Sequence, residues 1–198
     1  MARIVIAYHS GYGHTAVQAE AVARGARSVP GAAVQLVKVE DAEQHWPDLA
    51  AAADAIIFGA PTYMGSASAA FKTFMDASSK PWSTEAWKDK IAAGFTNSAS
   101  QSGDKLSTLQ QLAVFAAQHA MVWVGLGLMP GNNSSKGSTE DLNRLGSFLG
   151  AMAQSNADQG PEHGPTAADQ RTAEHLGRRV AETALRWQRG HLDAVAAA

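Results

Sequence analysis

The 198-residue chain contains no cysteine. That one absence excludes thiolate nucleophiles, cysteine-ligated zinc, iron–sulfur clusters and disulfide relays, so any redox chemistry has to be carried by a bound cofactor. Clustered positive charge is missing too. The 16 Lys and Arg are outnumbered by 18 Asp and Glu, giving a net charge of −2 with no basic run to match a phosphate backbone. Nucleic acid is therefore not an expected partner. The N-terminal apolar stretch Ile4-Val5-Ile6-Ala7-Tyr8 is too short for a signal h-region or a membrane span, so no membrane insertion is expected and the chain reads as cytoplasmic. The seven His have no close metal-ligand spacing, and no metal site is expected.

What is present is enough apolar volume for one core, with 45% hydrophobic residues spread along a length that suits one domain. The expected domain is 1–190, with 191–198 as a frayed tail. Four apolar runs recur, at Ile4–Tyr8, Ala55–Gly59, Ile91–Phe95 and Met121–Leu126, and an alternating run, Val34–Val39, follows the first. Consecutive apolar residues suit strands covered on both faces. Helical patterns lie between them at Thr15–Ser28, near Pro47–Ala53, at Ala67–Ser78 and Leu106–Gln118, and finally at Thr166–Gln188. This alternation predicts an α/β doubly wound parallel sheet with helices on both faces. Ligands of such sheets bind beyond the carboxyl ends of the strands, which directs attention to the segments after Tyr8, Gly59 and Phe95. The Gly-, Ser- and Asn-rich stretch Gly127–Pro165 carries few helix or strand signals and reads as a partly ordered lid.

The first of these segments is Ser10-Gly11-Tyr12-Gly13-His14-Thr15, opening into a helix. Its glycines allow a tight turn, its end hydroxyls offer hydrogen bonds, and a helix start presents unpaired N–H groups at a positive dipole end; the loop reads as a phosphate cradle. It also fits a dinucleotide pattern at Gly11, Gly13 and Ala16, with Glu40 where a ribose-binding acid would lie. Hydroxyls at both ends favour a terminal phosphate monoester, and both readings stand at this point. The second segment is Pro61-Thr62-Tyr63-Met64-Gly65-Ser66, whose irregular turn leaves side chains free to meet a flat ring. The third, Thr96-Asn97-Ser98-Ala99-Ser100-Gln101-Ser102, offers small hydroxyl and amide groups that hydrogen-bond a polar heterocycle without bulk.

Together with Asp54-Ala-Ile-Ile-Phe-Gly-Ala-Pro-Thr62, His119-Ala-Met-Val-Trp-Val124, Phe74-Met-Asp76, Trp82 and Gly164-Pro-Thr, these motifs resemble the WrbA-type flavodoxin-like NAD(P)H:quinone oxidoreductases and the NADPH-dependent FMN reductases. The resemblance covers nearly the whole chain. It implies a five-stranded parallel sheet in the order 2-1-3-4-5 and one non-covalent FMN, with its phosphate on Ser10 to Thr15 and its ring between the second and third loops. It implies hydride transfer from NADH or NADPH to the flavin, then two-electron reduction of a quinone or flavin acceptor. It also implies a homodimer or homotetramer. Two features depart from the family: a short connection from Val39 to Asp54, and a third loop that is not glycine-rich.

His119 is the expected catalytic residue, placed by the resemblance at the quinone-side cavity, where it would hydrogen-bond a substrate oxygen. The other reading of His119 is a helix C-terminal residue favoured by the macrodipole. Trp82 is expected to line the substrate cavity, and Tyr63 to shelter the flavin plane. Phe71, Phe74 and Met75 read as a core or subunit-contact stripe. Besides the quinone reductase, the sequence leaves open a flavin reductase supplying a monooxygenase, a single-electron carrier and a non-catalytic interaction protein.

Overall fold

The computed structural model describes residues 1–49 and 53–196, with residues 191–196 as backbone only. Strand β1 (Ala2–Tyr8) leads into helix α1 (His14–Arg27), then β2 (Ala32–Lys38) and the short α2 (Ala42–Pro47). Next come β3 (Ala55–Tyr63), the two-residue β4 (Ser66–Ala67), α3 (Ala69–Ala77), α4 (Ser79–Ser83) and β5 (Ile91–Ser98). Helix α5 (Lys105–Gln118), β6 (Val122–Trp123), β7 (Ala151–Gln154) and α6 (Ala167–Ala196) complete the chain. No described helix is long and apolar enough to cross a membrane.

The central sheet runs β2-β1-β3-β5-β6 and its pairings along that path are all parallel. This is the expected order, with β4 counted apart as a hairpin partner of the end of β3. Consecutive apolar residues are buried in β1, β3 and β5 because each strand feeds two cores in alternation. Ile4, Ile6, Ala55, Ile57, Ile91, Ala93 and Phe95 face α1 and α6. Val5, Ala7, Ile56, Phe58, Ala60 and Ala92 face the other layer, where Phe74 stacks on Trp87 and the rings of Phe71 and Phe115 pack against them edge to face or tilted. Helices α1 and α6 approach so closely that a Cβ on Gly177 would run into the Val22 carbonyl oxygen.

The stretch Gly127–Pro165 departs from expectation. Its residues Ala151–Gln154 form β7, pairing Phe95 with Ala151 through Ser98 with Gln154, beyond the point where β6 leaves off at Ala92–Trp123. The fifth position of the sheet is thus occupied by two short strands on either side of a long excursion. Four residues with two small ones give no periodic signal, and only the adjacent edge of β5 makes them a strand. The helix expected near Pro47–Ala53 is centred earlier, at Ala42–Pro47, and the remainder of that expectation touches residues 50–52, outside the described residues. Helix α6 continues to Ala196, beyond the expected Gln188, and the expected fraying of the tail concerns side chains and a terminus outside the described residues.

Candidate functional site: a cleft at the carboxyl edge of the sheet

Loop and helix start come first. Gly13 holds φ at 91°, a left-handed conformation that ordinary side chains resist, and this aims the chain from β1 into α1. Ser10 Oγ accepts from the Ala16 N–H at 3.0 Å, and the Val17 N–H donates to Gly13 O at 3.1 Å. The first four N–H groups of a helix have no partner within it, so those of His14 and Thr15 remain free to hold an anion at the positive end of α1. No acidic residue sits in that first turn to compete. Gly11 lies under the Tyr63 ring, where a Cβ would stand 2.5 Å from the phenol oxygen. The His14 ring is fixed by Nε2 donating to the Gln159 carbonyl at 2.9 Å.

The second and third loops are braced from below. Thr62 Oγ1 lies 2.7 Å from Thr96 Oγ1 and 2.8 Å from Thr108 Oγ1, a buried hydroxyl cluster tying β3, β5 and α5 together. Tyr63 stands edge-on to Tyr12 at 6.2 Å and to His9 at 6.5 Å, giving the cleft an aromatic wall. Burial, followed by the neighbouring Tyr12, raises the Tyr63 phenol above its ordinary value, so it stays protonated at neutral pH. Asn97 donates from Nδ2 to Ser155 Oγ at 2.9 Å, while its buried Oδ1 has no partner. An orphaned buried acceptor is costly unless a ligand donor reaches it.

These elements enclose a cleft of about 520 Å³, within the usual range for small-molecule sites. Tyr12, His14, Thr15, Pro61, Thr62, Tyr63, Asn97, Ser98 and Ala99 line it as the sequence predicts. Ser10, Gly11 and Gly13 shape the loop beside it. The remaining predicted contacts lie elsewhere. Thr96 is fully buried and serves as a strut. Met64 is fully exposed at the turn it forms with Gly65, and Ser66 bonds Gln111. Ser100 turns its carbonyl toward the Lys105 ammonium, and Gln101 and Ser102 border the adjacent groove beside Phe148. Glu40, the candidate ribose acid, lies 3.4 Å from His9 and does not line the cleft.

A fourth wall comes from Ser155, Ala157, Gln159 and Gly160. Sequence reasoning assigned no site role to these residues. Pro161 packs on Gly13, where a Cβ would meet its ring at 2.8 Å, and with the His14 contact this seats the segment on the loop that opens α1. The turn-forming Gly160-Pro161 and Gly164-Pro165 were the available signal, but nothing in the sequence states where so distant a turn docks.

His119 and Trp82 are not brought to this cleft within one chain. They meet at the far end of α5, whose 14 residues span about 20 Å. There they border a wide groove of about 930 Å³ between α3 and α5. Trp82 Nε1 donates to the Gln118 carbonyl at 2.9 Å. The Ser78 hydroxyl donates to Met75 O at 2.6 Å, so Ser78 Oγ accepts from His119 Nε2–H at 2.9 Å and Nδ1 keeps a buried lone pair without a partner. The ring lies on Trp87 at 4.1 Å, and burial pushes its pKa down to about 4. His119 is therefore neutral at pH 7, with its one N–H already engaged.

Comparison with known proteins places this chain in a family. Residues 9–133, more than half of the chain, match the family described as NADPH-dependent FMN reductase. Flavodoxin FldP of Pseudomonas aeruginosa is 43% identical over 185 residues, covering 91% of this chain and 96% of that protein. An NAD(P)H dehydrogenase (quinone) of Acidithiobacillus ferrooxidans is 30% identical over 92% of this chain and 96% of its own length. The crystal structure of a flavodoxin, WrbA-like protein from Agrobacterium tumefaciens superposes with a TM-score of 0.72 at 44% identity, covering 94% of this chain and 99% of that one. With a parallel sheet, a glycine turn into α1 and a cleft at the carboxyl edge where the fold directs them, this chain belongs to the NADPH-dependent FMN reductase family, flavin oxidoreductases built on a flavodoxin-like sheet.

Proposed function

We propose that the chain holds one FMN non-covalently in the carboxyl-edge cleft, takes hydride from NADH or NADPH, and passes two electrons to a quinone-like acceptor. The observation that carries this reading is the pairing, in one cleft, of an anion cradle at the start of α1 with the orphaned, buried Asn97 Oδ1. A bound flavin supplies the two-electron chemistry that a cysteine-free chain lacks. The chain's own residues do the rest. The His14 and Thr15 N–H groups and the positive end of α1 hold the phosphate. Asn97 and Ser155 meet polyol hydroxyls, and the Tyr63 and Tyr12 rings shelter one side of the ring system from water. The neutral Tyr63 phenol keeps negative charge away from a reduced cofactor.

Mixing FMN-loaded protein anaerobically with NADH, then NADPH, then benzoquinone tests the reading by stopped-flow absorbance. Bleaching of the flavin band and its return on quinone are expected. A flavin that binds but is reduced by neither nucleotide refutes the enzyme. Release of reduced FMN to a partner is the variant that the family description favours, and a weak, exchangeable FMN would select it. The likeness to a protein named a flavodoxin favours a second reading, single-electron carriage. A net charge of only −2 argues against the strongly acidic face that steers such carriers, and a stable one-electron step in a redox titration would decide for it.

The same reading extends to assembly as a homodimer or homotetramer. His119 and Trp82 do not reach the cleft of their own chain, so a role for them at the acceptor requires a second copy whose cleft faces the groove between α3 and α5. A monomer in analytical ultracentrifugation at working concentration would remove that role.

A further inference from the structure

Behind the third loop sits a charge that the proposed chemistry does not use. Lys105, the first residue of α5, is 1% exposed. Its Nζ donates to Ser98 Oγ at 2.8 Å, to the Ser100 carbonyl at 2.9 Å and to the Gln101 carbonyl at 2.8 Å, using all three ammonium hydrogens. The loop is wrapped around the ammonium. Ser98 Oγ in turn donates to Ser100 O at 3.0 Å, and Gln154 of β7 donates to Ala99 O at 3.1 Å from the other side. Ser98 and Ala99 line the cleft, so the groups that fix their backbone also fix the cleft wall. A buried Lys costs solvation energy, and a leucine or methionine would pack there without that cost. What the Lys adds is a loop with a defined shape and a positive charge directly behind a cofactor wall.

We propose that Lys105 is a positioning residue for the flavin, its buried ammonium holding Ser98 to Gln101 in the shape that closes the cleft on the cofactor. This assignment rests on FMN occupying that cleft. Two charged groups face Lys105 from packed elements: Asp169 of α6 and Arg144 of the excursion before β7, joined in a bidentate pair at 2.7 and 2.8 Å, with Asp169 also accepting from the Gln154 N–H at 2.9 Å. On its own element only the exposed Asp104 is adjacent. Burial, joined by a smaller push from the Arg144 guanidinium, outweighs the upward pull of Asp169 and brings the Lys105 pKa down to about 8. Above that pH the neutral amine has two hydrogens for three acceptors, so the loop loses an anchor. The cofactor's negative charge favours the ammonium, so binding takes up a proton and weakens as pH rises past about 8.

The test is FMN affinity, read by quenching of flavin fluorescence on titration into apo-protein at pH values from 6.5 to 9.5, for the wild type, Lys105→Met and Lys105→Arg. The wild type is expected to lose affinity above pH 8, by up to tenfold per pH unit. Lys105→Met is expected to bind about tenfold more weakly at pH 7, as loss of charged hydrogen bonds implies, and to show no break near pH 8. Lys105→Arg, charged throughout, is expected to hold FMN at pH 9.5 better than the wild type does. Equal affinity and equal pH profiles for wild type and Lys105→Met overturn the proposal. If the methionine variant does not fold, absence of a break in the wild-type profile overturns it alone. Failure of the wild type to bind FMN at any pH refutes the cofactor reading instead, and the two failures are thereby distinct.

Discussion

Replacing His119 by Gln tests, through stability, whether its ring is buried and neutral in the native state. The His119 ring is 5% exposed, and its pKa of about 4 lies below the ordinary 6.5 because burial disfavours the charged ring. Between these two values the unfolded chain binds a proton that the native chain does not, so native stability falls as pH drops from 6.5 toward 4 and is intact above that window. Integrated from pH 7 to pH 5, the loss is about 2 kcal/mol, and about 3 kcal/mol once the native ring is fully protonated. Gln keeps a donor for Ser78 and cannot titrate. Urea unfolding followed by far-ultraviolet circular dichroism at pH 7 and pH 5 should show the wild type losing about 2 kcal/mol more than the variant over that interval. His175 is also held below its ordinary value, chiefly by burial, but it is present in both proteins and cancels in the difference. At pH 7 the variant should be less stable by about 1 kcal/mol, from the lost contact with Trp87. Equal losses of stability in the two proteins would mean that His119 is charged or solvated in the native state, and the structural account of it would fail.

Two further outcomes follow from single contacts. Gly177→Ala pushes a methyl into the Val22 carbonyl where α1 crosses α6, and chemical denaturation should show a loss of about 1–3 kcal/mol with the cleft's FMN affinity largely unchanged, since the crossing lies away from the loops. Asn97→Ala removes the bond to Ser155 and the unpartnered buried acceptor of a residue that lines the cleft, and fluorescence titration should show FMN binding weakened about tenfold at unchanged fold.

Much of the fold was legible in the sequence because its strands are continuously apolar. Runs such as Ala55–Gly59 and Ile91–Phe95 match buried positions on both faces of the sheet, and helices of sufficient length betray themselves by period. The turn from Ser10 to Thr15 was legible for a related reason: a strand, a glycine turn and a helix start are adjacent in sequence, so the geometry of the loop is local. Thr96 was misplaced as a cofactor contact because strand alternation sends it into the hydroxyl cluster with Thr62 and Thr108, while its neighbour Asn97 faces the cleft.

The sequence by itself determined the class of sheet, the three loops at its carboxyl edge and the exclusion of cysteine-based redox chemistry, since those follow from local period, local turns and the absence of cysteine. Only the tertiary structure decided the rest. It joined the segment from Ser155 to Gly160 to a loop 145 residues away through His14 and Gln159, split the last sheet position between β6 and β7, closed the third loop around Lys105, and carried His119 to the opposite end of α5 from the cleft. Each of these depends on contacts between residues remote in the chain, whose register is set by packing and by the satisfaction of buried polar groups, and no local pattern encodes those.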